Sequence, residues 1–284
     1  MSATFLALLA AFSFSLGTVL QQRGTLQTSA AEGDPRFLAE IIRKPVWLLG
    51  GSLQVCGWIL QALALERGSL ALVQSLCALS LVFALPLGVR LTGQQVGRRS
   101  IIGAVVTLVG IISFVAIGQP QGGISQPEAS AWLTSGLILL FLILLLGWLA
   151  RQRHGALAAA LFATGAGLCY AYQAAVTKVF MTQLGYGLGV ILSSWTTYAL
   201  ILTALMGFTL QQSALKTGFL APAMAASNAS MLVASVLLSV TIFQESISNG
   251  QERLLPAFLG LFLAVFGVVL LSSPETKHPD LTTE

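Results

Sequence analysis

The stretch Ala131–Ala150, AWLTSGLILLFLILLLGWLA, contains no charged residue across its twenty positions. A helix needs roughly 20 apolar residues to cross the hydrocarbon core of a bilayer. The apolar run is continuous rather than alternating, which excludes a strand of a membrane β-barrel. This segment therefore predicts a transmembrane helix.

The rest of the chain has the same character. Its 284 residues are 56% hydrophobic and 8% charged, with a mean hydropathy of +0.85. An ordinary soluble domain is about 25% charged, so a soluble globule is excluded. A disordered chain is excluded because disorder requires low hydrophobicity. We expect an all-α polytopic membrane protein with nine transmembrane helices. The predicted spans are residues 3–22, 45–65, 69–90, 99–118, 131–150, 155–179, 186–210, 217–242 and 254–272.

Basic residues are distributed unevenly between the two sides of these spans. Because cytoplasmic loops carry an excess of Lys and Arg, the richer side is expected to be cytoplasmic. The sequence thus predicts an integral protein of the plasma (inner) membrane with its N-terminus outside and its C-terminus in the cytoplasm. The net charge of +4 is explained by these span ends and predicts no nucleic-acid partner. The richer side carries Arg23, Arg36, Arg43, Lys44, Arg90, Arg98, Arg99, Arg151, Arg153, Lys216 and Lys277, and the other side carries Arg67, Lys178 and Arg253.

A cytoplasmic amphipathic segment is predicted at residues 34–44. Asp34 followed by Pro35 is typical of a helix start, and the apolar residues that follow share one face. Two interpretations stay open: a helix lying on the inner leaflet, or a helix packed on the bundle.

The chain also repeats itself. QALALERGSLA at 61–71 matches QQSALKTGFLA at 211–221, with six of the eleven positions identical. Further along, two stripes of small residues match each other, and small residues let helices approach closely in lipid. These stripes are Gly103, Thr107 and Gly110 in the fourth span, and Gly260, Ala264 and Gly267 in the ninth.

This similarity predicts two repeats, which pair spans 1–4 with spans 6–9. An offset of five spans forces the copies into opposite orientation, the inverted-topology architecture of many secondary transporters. The expected units are 1–130 (first repeat), 131–154 (linking fifth span), 155–272 (second repeat) and 273–284 (cytoplasmic tail).

Amide and aromatic side chains lie inside the predicted spans. Amides that faced lipid would be costly, so we expect them to point into the bundle. They form either a substrate pathway between the repeats or simple hydrogen bonds between helices. The predicted pathway residues are Gln21, Gln54, Trp58, Gln61, Gln74, Tyr170, Gln173, Trp195 and Asn228.

Two acids come closest to membrane depth, Glu66 and Glu245. Each is a candidate for binding a coupling ion at an external vestibule, and the alternative is that Glu245 stays solvated. Lys178 is expected to extend to the external surface. Trp132, near a span end, is expected to belong to an interfacial aromatic belt.

Several segments resemble the drug/metabolite transporter superfamily, in particular its NIPA-type magnesium-transporter and EamA-like branch. The resemblance lies in GTVLQQRG at 17–24, ALVQSLCALS at 71–80 and the Phe243-Gln244-Glu245 tripeptide. It implies a secondary transporter that moves a small metabolite or a cation by alternating access between inverted repeats. The family also includes members with lipid-related roles.

Three other functions remain open. A flippase for a lipid-linked headgroup predicts a groove open to the bilayer, a NIPA-like protein would transport Mg²⁺, and a scaffold would transport nothing. An enzyme is not expected, because His154 and His278 lie in a short loop and in the tail without catalytic partners. No cofactor is expected, and the sequence specifies no metal site. The expected partners are the lipid bilayer, a small-molecule or ion substrate, and a second copy of the chain in a possible homodimer.

Overall fold

The structure is a computed structural model that describes residues 2–26, 43–93, 96–124, 127–217, 220–247 and 251–271. Over these ranges the chain is nearly all helical, and nine helical spans are long and apolar enough to cross a membrane. The predicted all-α membrane fold is confirmed. Most of the predicted amphipathic segment and the whole predicted tail lie outside the described residues.

Ten of the eleven α-helices in the described residues make up these spans. The third span consists of two of them, α3 and α4, and a short helix, α8, precedes the seventh span. The helices are α1 (Ala3–Leu26), α2 (Pro45–Arg67), α3 (Leu70–Cys77), α4 (Ser80–Thr92), α5 (Arg98–Gly118), α6 (Ala129–Arg151), α7 (Gly155–Gln183), α8 (Leu188–Ser193), α9 (Trp195–Lys216), α10 (Leu220–Thr241) and α11 (Gln251–Leu271).

The third span is interrupted at Ala78–Leu79. Here the backbone bonding tightens to i→i−3, with the Leu79 N–H donating to the Leu76 carbonyl at 3.1 Å. Nearly all of α3 is buried, because α1, α7 and α10 pack around it. The short helix thus lies at the centre of the bundle, and its first turn is buried too.

The seventh span is the one that the sequence places least accurately, at both of its ends. We predicted residues 186–210, whereas α9 is Trp195–Lys216. Gly187 adopts a left-handed φ of 94°, and Ser194 caps the new helix by accepting the N–H of Thr196 at 3.3 Å. This turn and cap separate 186–193 from the span. The other predicted spans agree with the helices to within about four residues at either end, the sixth ending at Gln183 rather than at 179.

The fourth and ninth spans, α5 and α11, meet through the predicted small-residue stripes. Gly103 lies against Leu271 and Gly110 against Ala264, so the two helices run antiparallel. A Cβ placed on Gly260 would come 2.7 Å from the backbone nitrogen of Phe114. The expectation of close packing at these positions is therefore confirmed.

The remaining spans pack in two similar groups. In the first, α1 packs on α2, α3 and α4; in the second, α7 packs on α9 and α10. The fifth span, α6, lies against α7. A hydrophobic core joins both groups around α3 and includes Leu70, Val73, Phe114, Val176 and Phe243.

Charge is separated between the two ends of the bundle. One end, called the acidic end, carries all four acids that lie within the described ranges. At the other, the basic end, no acid lies within those ranges. The acidic end carries Glu66, Glu128, Glu245 and Glu252, and the basic end carries Arg23, Arg43, Lys44, Arg90, Arg98, Arg99, Arg151, Arg153 and Lys216.

Candidate functional site

A buried ion pair lies at the acidic end, and we call it the ionic latch. The Lys178 ammonium is 2.6 Å from Oε1 of Glu245, and the Glu245 side chain has no exposed surface. The same carboxylate accepts the backbone N–H groups of Leu70 at 2.6 Å and Ala71 at 3.1 Å. It therefore caps the buried first turn of α3, where the unpaired N–H groups and the helix dipole favour a negative charge.

Lys178 reaches this site from α7. Its ammonium also donates to the Gly68 carbonyl at 2.8 Å and lies 4.9 Å from the centre of the Phe243 ring. The cation is thus held by a carboxylate, a carbonyl and an aromatic face, which together replace much of the water it loses.

The structure contradicts the solvated alternative for Glu245 and the predicted external position of Lys178. Glu245 is only 2% exposed and is not solvated, and Lys178 points inward rather than to the external surface. The physical reason is that each charge is compensated by the other and by backbone groups, so burial leaves neither unpaired. Sequence reasoning missed the pair because its members lie 67 residues apart. The available signal was their opposite charge at the same predicted end of the spans.

The turn after α10 holds Glu245 in place. Gln244 adopts a left-handed conformation with φ of 53°, and the Glu245 N–H donates to the Ser239 carbonyl at 3.0 Å. The loop after α5 packs on this turn: Gln121 and Ser246 exchange two backbone hydrogen bonds. Ser69, the N-cap of α3, donates from its hydroxyl to the Pro120 carbonyl at 2.8 Å in the same loop.

An aromatic cluster continues from the latch toward the bilayer. The Trp132 ring contacts the rings of Phe243, Tyr172 and Trp195 with centroid distances of 5.8, 5.6 and 5.1 Å. Trp132 is 7% exposed, so the predicted interfacial position is wrong: the ring is buried by its aromatic neighbours. Trp132, Tyr172 and Trp195 line a cavity of about 520 Å³, which we call the aromatic pocket.

A second cavity, of about 590 Å³, lies between α6 and α9 over α7, nearer the basic end. We call it the lateral groove. Its walls include Leu144, Trp148 and Leu205, whose side chains are all about 60% exposed. The groove is therefore open on the outer side of the bundle, where a membrane protein meets lipid.

Two of the predicted pathway residues, Gln21 and Gln54, come together where α1 crosses α2. Their side chains flank the close contact between Gly17 and Gly50. The Gln54 amide donates to the Thr18 hydroxyl at 2.8 Å and to the Phe14 carbonyl at 3.3 Å, as expected for hydrogen bonding between helices.

The other predicted pathway residues are dispersed. Trp58 is 62% exposed, which contradicts its assignment to an enclosed pathway, because its helix turns it away from the core. Trp195 reaches the aromatic pocket. Asn228 donates to the Met224 carbonyl of its own helix at 2.8 Å. The remainder are Gln61 and Gln173, which are half-buried, and Tyr170, which packs on Gly207.

Gln74 differs from these residues. It is 3% exposed within α3, and its amide nitrogen has no hydrogen-bond partner. The hydroxyls of Ser15, Ser75 and Ser235 are likewise buried without a partner. An unsatisfied buried polar group costs about 1–3 kcal/mol, so each of these is a candidate contact for water or a solute.

Of the two acids proposed for a coupling ion, only Glu245 is buried, whereas Glu66 is exposed at the end of α2. No group of three His, Cys, Asp or Glu side chains suited to a metal ion occurs among the residues that the structure covers. The charge of Glu245 is already balanced by the Lys178 ammonium.

Comparison with known proteins adds one relative of unknown activity. The chain is 28% identical over 283 residues to an uncharacterized protein of Corynebacterium glutamicum, and the similarity covers 96% of each chain. No protein-family model and no solved structure matches the chain. The nine apolar spans in the described part of the chain fit an integral membrane protein.

Proposed function

We propose that this protein is a secondary transporter of the drug/metabolite transporter superfamily that works by alternating access between two inverted repeats. The observation that carries the proposal is the ionic latch. Lys178 and Glu245 belong to the second repeat, and the groups they bind, at Gly68, Leu70 and Ala71, belong to the first. A charged contact that joins two halves at one membrane face is suited to act as a gate.

The arrangement of helices supports two related halves. Helix starts recur 150 positions apart, with Pro45 matching Trp195 and Leu70 matching Leu220. Opposite orientation of the halves is supported by Gly68, which contacts Ala3 at the start of α1 and Lys178 near the end of α7. The antiparallel contact of α5 with α11 agrees with the same relation.

A small organic solute fits the described site better than Mg²⁺ does. Divalent cations prefer several oxygen ligands, with carboxylates prominent among them. Glu245 already has Lys178 as its counter-ion. The aromatic pocket next to the latch offers Trp132, Tyr172 and Trp195, which suit an amphipathic metabolite.

The test is transport by the purified protein in proteoliposomes. A panel of labelled amino acids, nucleosides, sugars and divalent cations is offered with and without a proton gradient. We expect gradient-dependent uptake of an organic solute. We expect Glu245→Gln to reduce this uptake at least about tenfold, because the Lys178 ammonium would be left buried without its counter-ion.

Glu66→Gln is the matched control, since Glu66 is exposed on the same end of the bundle. It should leave uptake unchanged. Absence of flux for every solute would count against a transporter. Equal flux in wild type and Glu245→Gln would remove the latch from the mechanism.

The lateral groove favours a second candidate, a flippase for a lipid-linked headgroup. Such a protein needs an opening from the bundle to the bilayer, and α6 and α9 leave one. Protein-dependent movement of a fluorescent lipid between leaflets, measured by quenching from outside the vesicle, would support this function over solute transport.

A further inference from the structure

The lateral groove ends in a cluster of basic residues. A cavity of about 370 Å³ at the basic end is lined by Arg151, Arg153 and His154. Arg151 and Phe162 also line the lateral groove, so the polar and apolar cavities adjoin. Together they form one amphipathic site with an apolar body and a cationic mouth.

Among the residues that the structure describes, no acid lies beside the positive charge at this mouth. Arg151, Arg153 and His154 are exposed, and every acid in the described ranges lies at the acidic end. Lys216, at the end of α9, adds a further positive charge to this end. An anionic group is the ligand that this charge distribution would attract.

We propose that the site binds one anionic phospholipid from the leaflet at the basic end. An acyl chain occupies the lateral groove between α6 and α9, and the phosphate lies against Arg151 and Arg153. The proposal concerns binding alone, so it does not depend on the proposed transport function.

The depth of the groove fits a lipid in one leaflet. Arg151 and Ile143, both of which line the groove, lie eight residues apart on α6, which corresponds to about 12 Å along a helix. The hydrocarbon region of one leaflet is about 15 Å thick, half of the bilayer core. The wall is open at Gly147, because a Cβ at this position would meet no atom within 4 Å.

Native mass spectrometry of the full chain, titrated with lipid, tests the proposal. Phosphatidylglycerol and phosphatidylcholine with identical acyl chains are compared. We expect phosphatidylglycerol to bind at least about fivefold more tightly, since each basic residue near a membrane contributes about that factor toward anionic lipid. Arg151→Gln combined with Arg153→Gln should remove the preference. Gly147→Leu fills the groove and should weaken the binding of both lipids.

The matched control combines Arg90→Gln with Arg98→Gln, which removes two exposed charges from the same end but away from the groove. It should keep the preference. Equal binding of the two lipids by wild type would overturn the proposal, as would an equal loss of preference in the control. Glycerol 3-phosphate that displaced the lipid at equal concentration would also overturn it, because the site would then recognise a soluble phosphate ester. Thermal unfolding without added lipid verifies that each variant is folded.

Discussion

At the scale of single residues, the ionic latch balances a large desolvation penalty with several local contacts. Removing one member of a buried pair typically costs about 3–5 kcal/mol, because the remaining charge is left uncompensated. We expect Lys178→Met to destabilise the protein by about that amount, since Glu245 would keep only the N–H groups of Leu70 and Ala71. The measurement is equilibrium unfolding in mixed detergent and SDS micelles.

The pairwise part of this energy is separable by a double-mutant cycle. Glu245→Gln alone should also destabilise, but the combination with Lys178→Met should cost about 2–3 kcal/mol less than the sum of the single effects. Strict additivity would mean that the two charges do not interact in the folded protein.

Gly123 is a second residue on which the latch depends. It has a φ of 96°, and a Cβ there would come 2.8 Å from Cγ of Glu245 and 3.0 Å from the carbonyl oxygen of Phe243. Gly123→Ala should therefore cost both backbone strain and displacement of the carboxylate, about 2–4 kcal/mol in all.

Gly93→Ala is the matched control for this substitution. Gly93 has a similar left-handed φ of 71°, but no atom lies within 4 Å of the position its Cβ would take. Only the backbone cost of about 1–2 kcal/mol should appear in the same unfolding measurement. Equal losses in the two variants would refute the steric contribution at Gly123.

Sequence reasoning at the scale of residues identified Glu245 as a functional candidate but did not predict that its carboxylate is buried in an ion pair. Ionisable groups near span ends are normally solvated, and the hydrogen bonds that keep Glu245 buried come from α3 and α7, far away in sequence. Trp132 was misjudged for the same reason, because the rings that bury it come from three other segments. Such partners become visible only once the helices are packed.

At the scale of elements, the contact between α5 and α11 should tolerate no added side chains. Gly110→Ala places a Cβ against the backbone of Ala264. We expect it to destabilise by about 1–3 kcal/mol, as overpacking does in a close-packed interface. Gly147→Ala, in open space on α6, should be neutral or stabilising by about 0.5–1 kcal/mol through helix propensity. Equal unfolding midpoints for both variants would contradict the close contact.

Element boundaries followed from hydropathy wherever polar residues or glycines bounded an apolar run. The seventh span was misplaced because 186–193 is apolar enough to extend the pattern, while a glycine turn and the Ser194 cap decide the real start. The end at Lys216 was missed because Gln211 and Gln212 look like a terminus. The interruption at Ala78–Leu79 has no local marker and depends on how α3 is packed.

At the scale of the whole molecule, charge separation predicts orientation in the membrane. Nine basic residues and none of the described acids lie at one end. The positive-inside rule therefore places that end in the cytoplasm and the ionic latch on the external face. Two single-cysteine variants, made after replacing Cys56, Cys77 and Cys169, test this arrangement in intact cells.

Glu66→Cys lies at the acidic end, and Gln152→Cys lies in the exposed turn between α6 and α7 at the basic end. A membrane-impermeant maleimide should label the cysteine at 66 in intact cells, and the cysteine at 152 only after the membrane is permeabilised. The reverse pattern would mean that the acidic end, not the basic end, lies in the cytoplasm. The ionic latch would then lie at the cytoplasmic face, and the lateral groove would take its lipid from the outer leaflet. The ionic latch lies at the acidic end of the helices, and the mouth of the lateral groove lies at their basic end. This one measurement therefore assigns a membrane face to each.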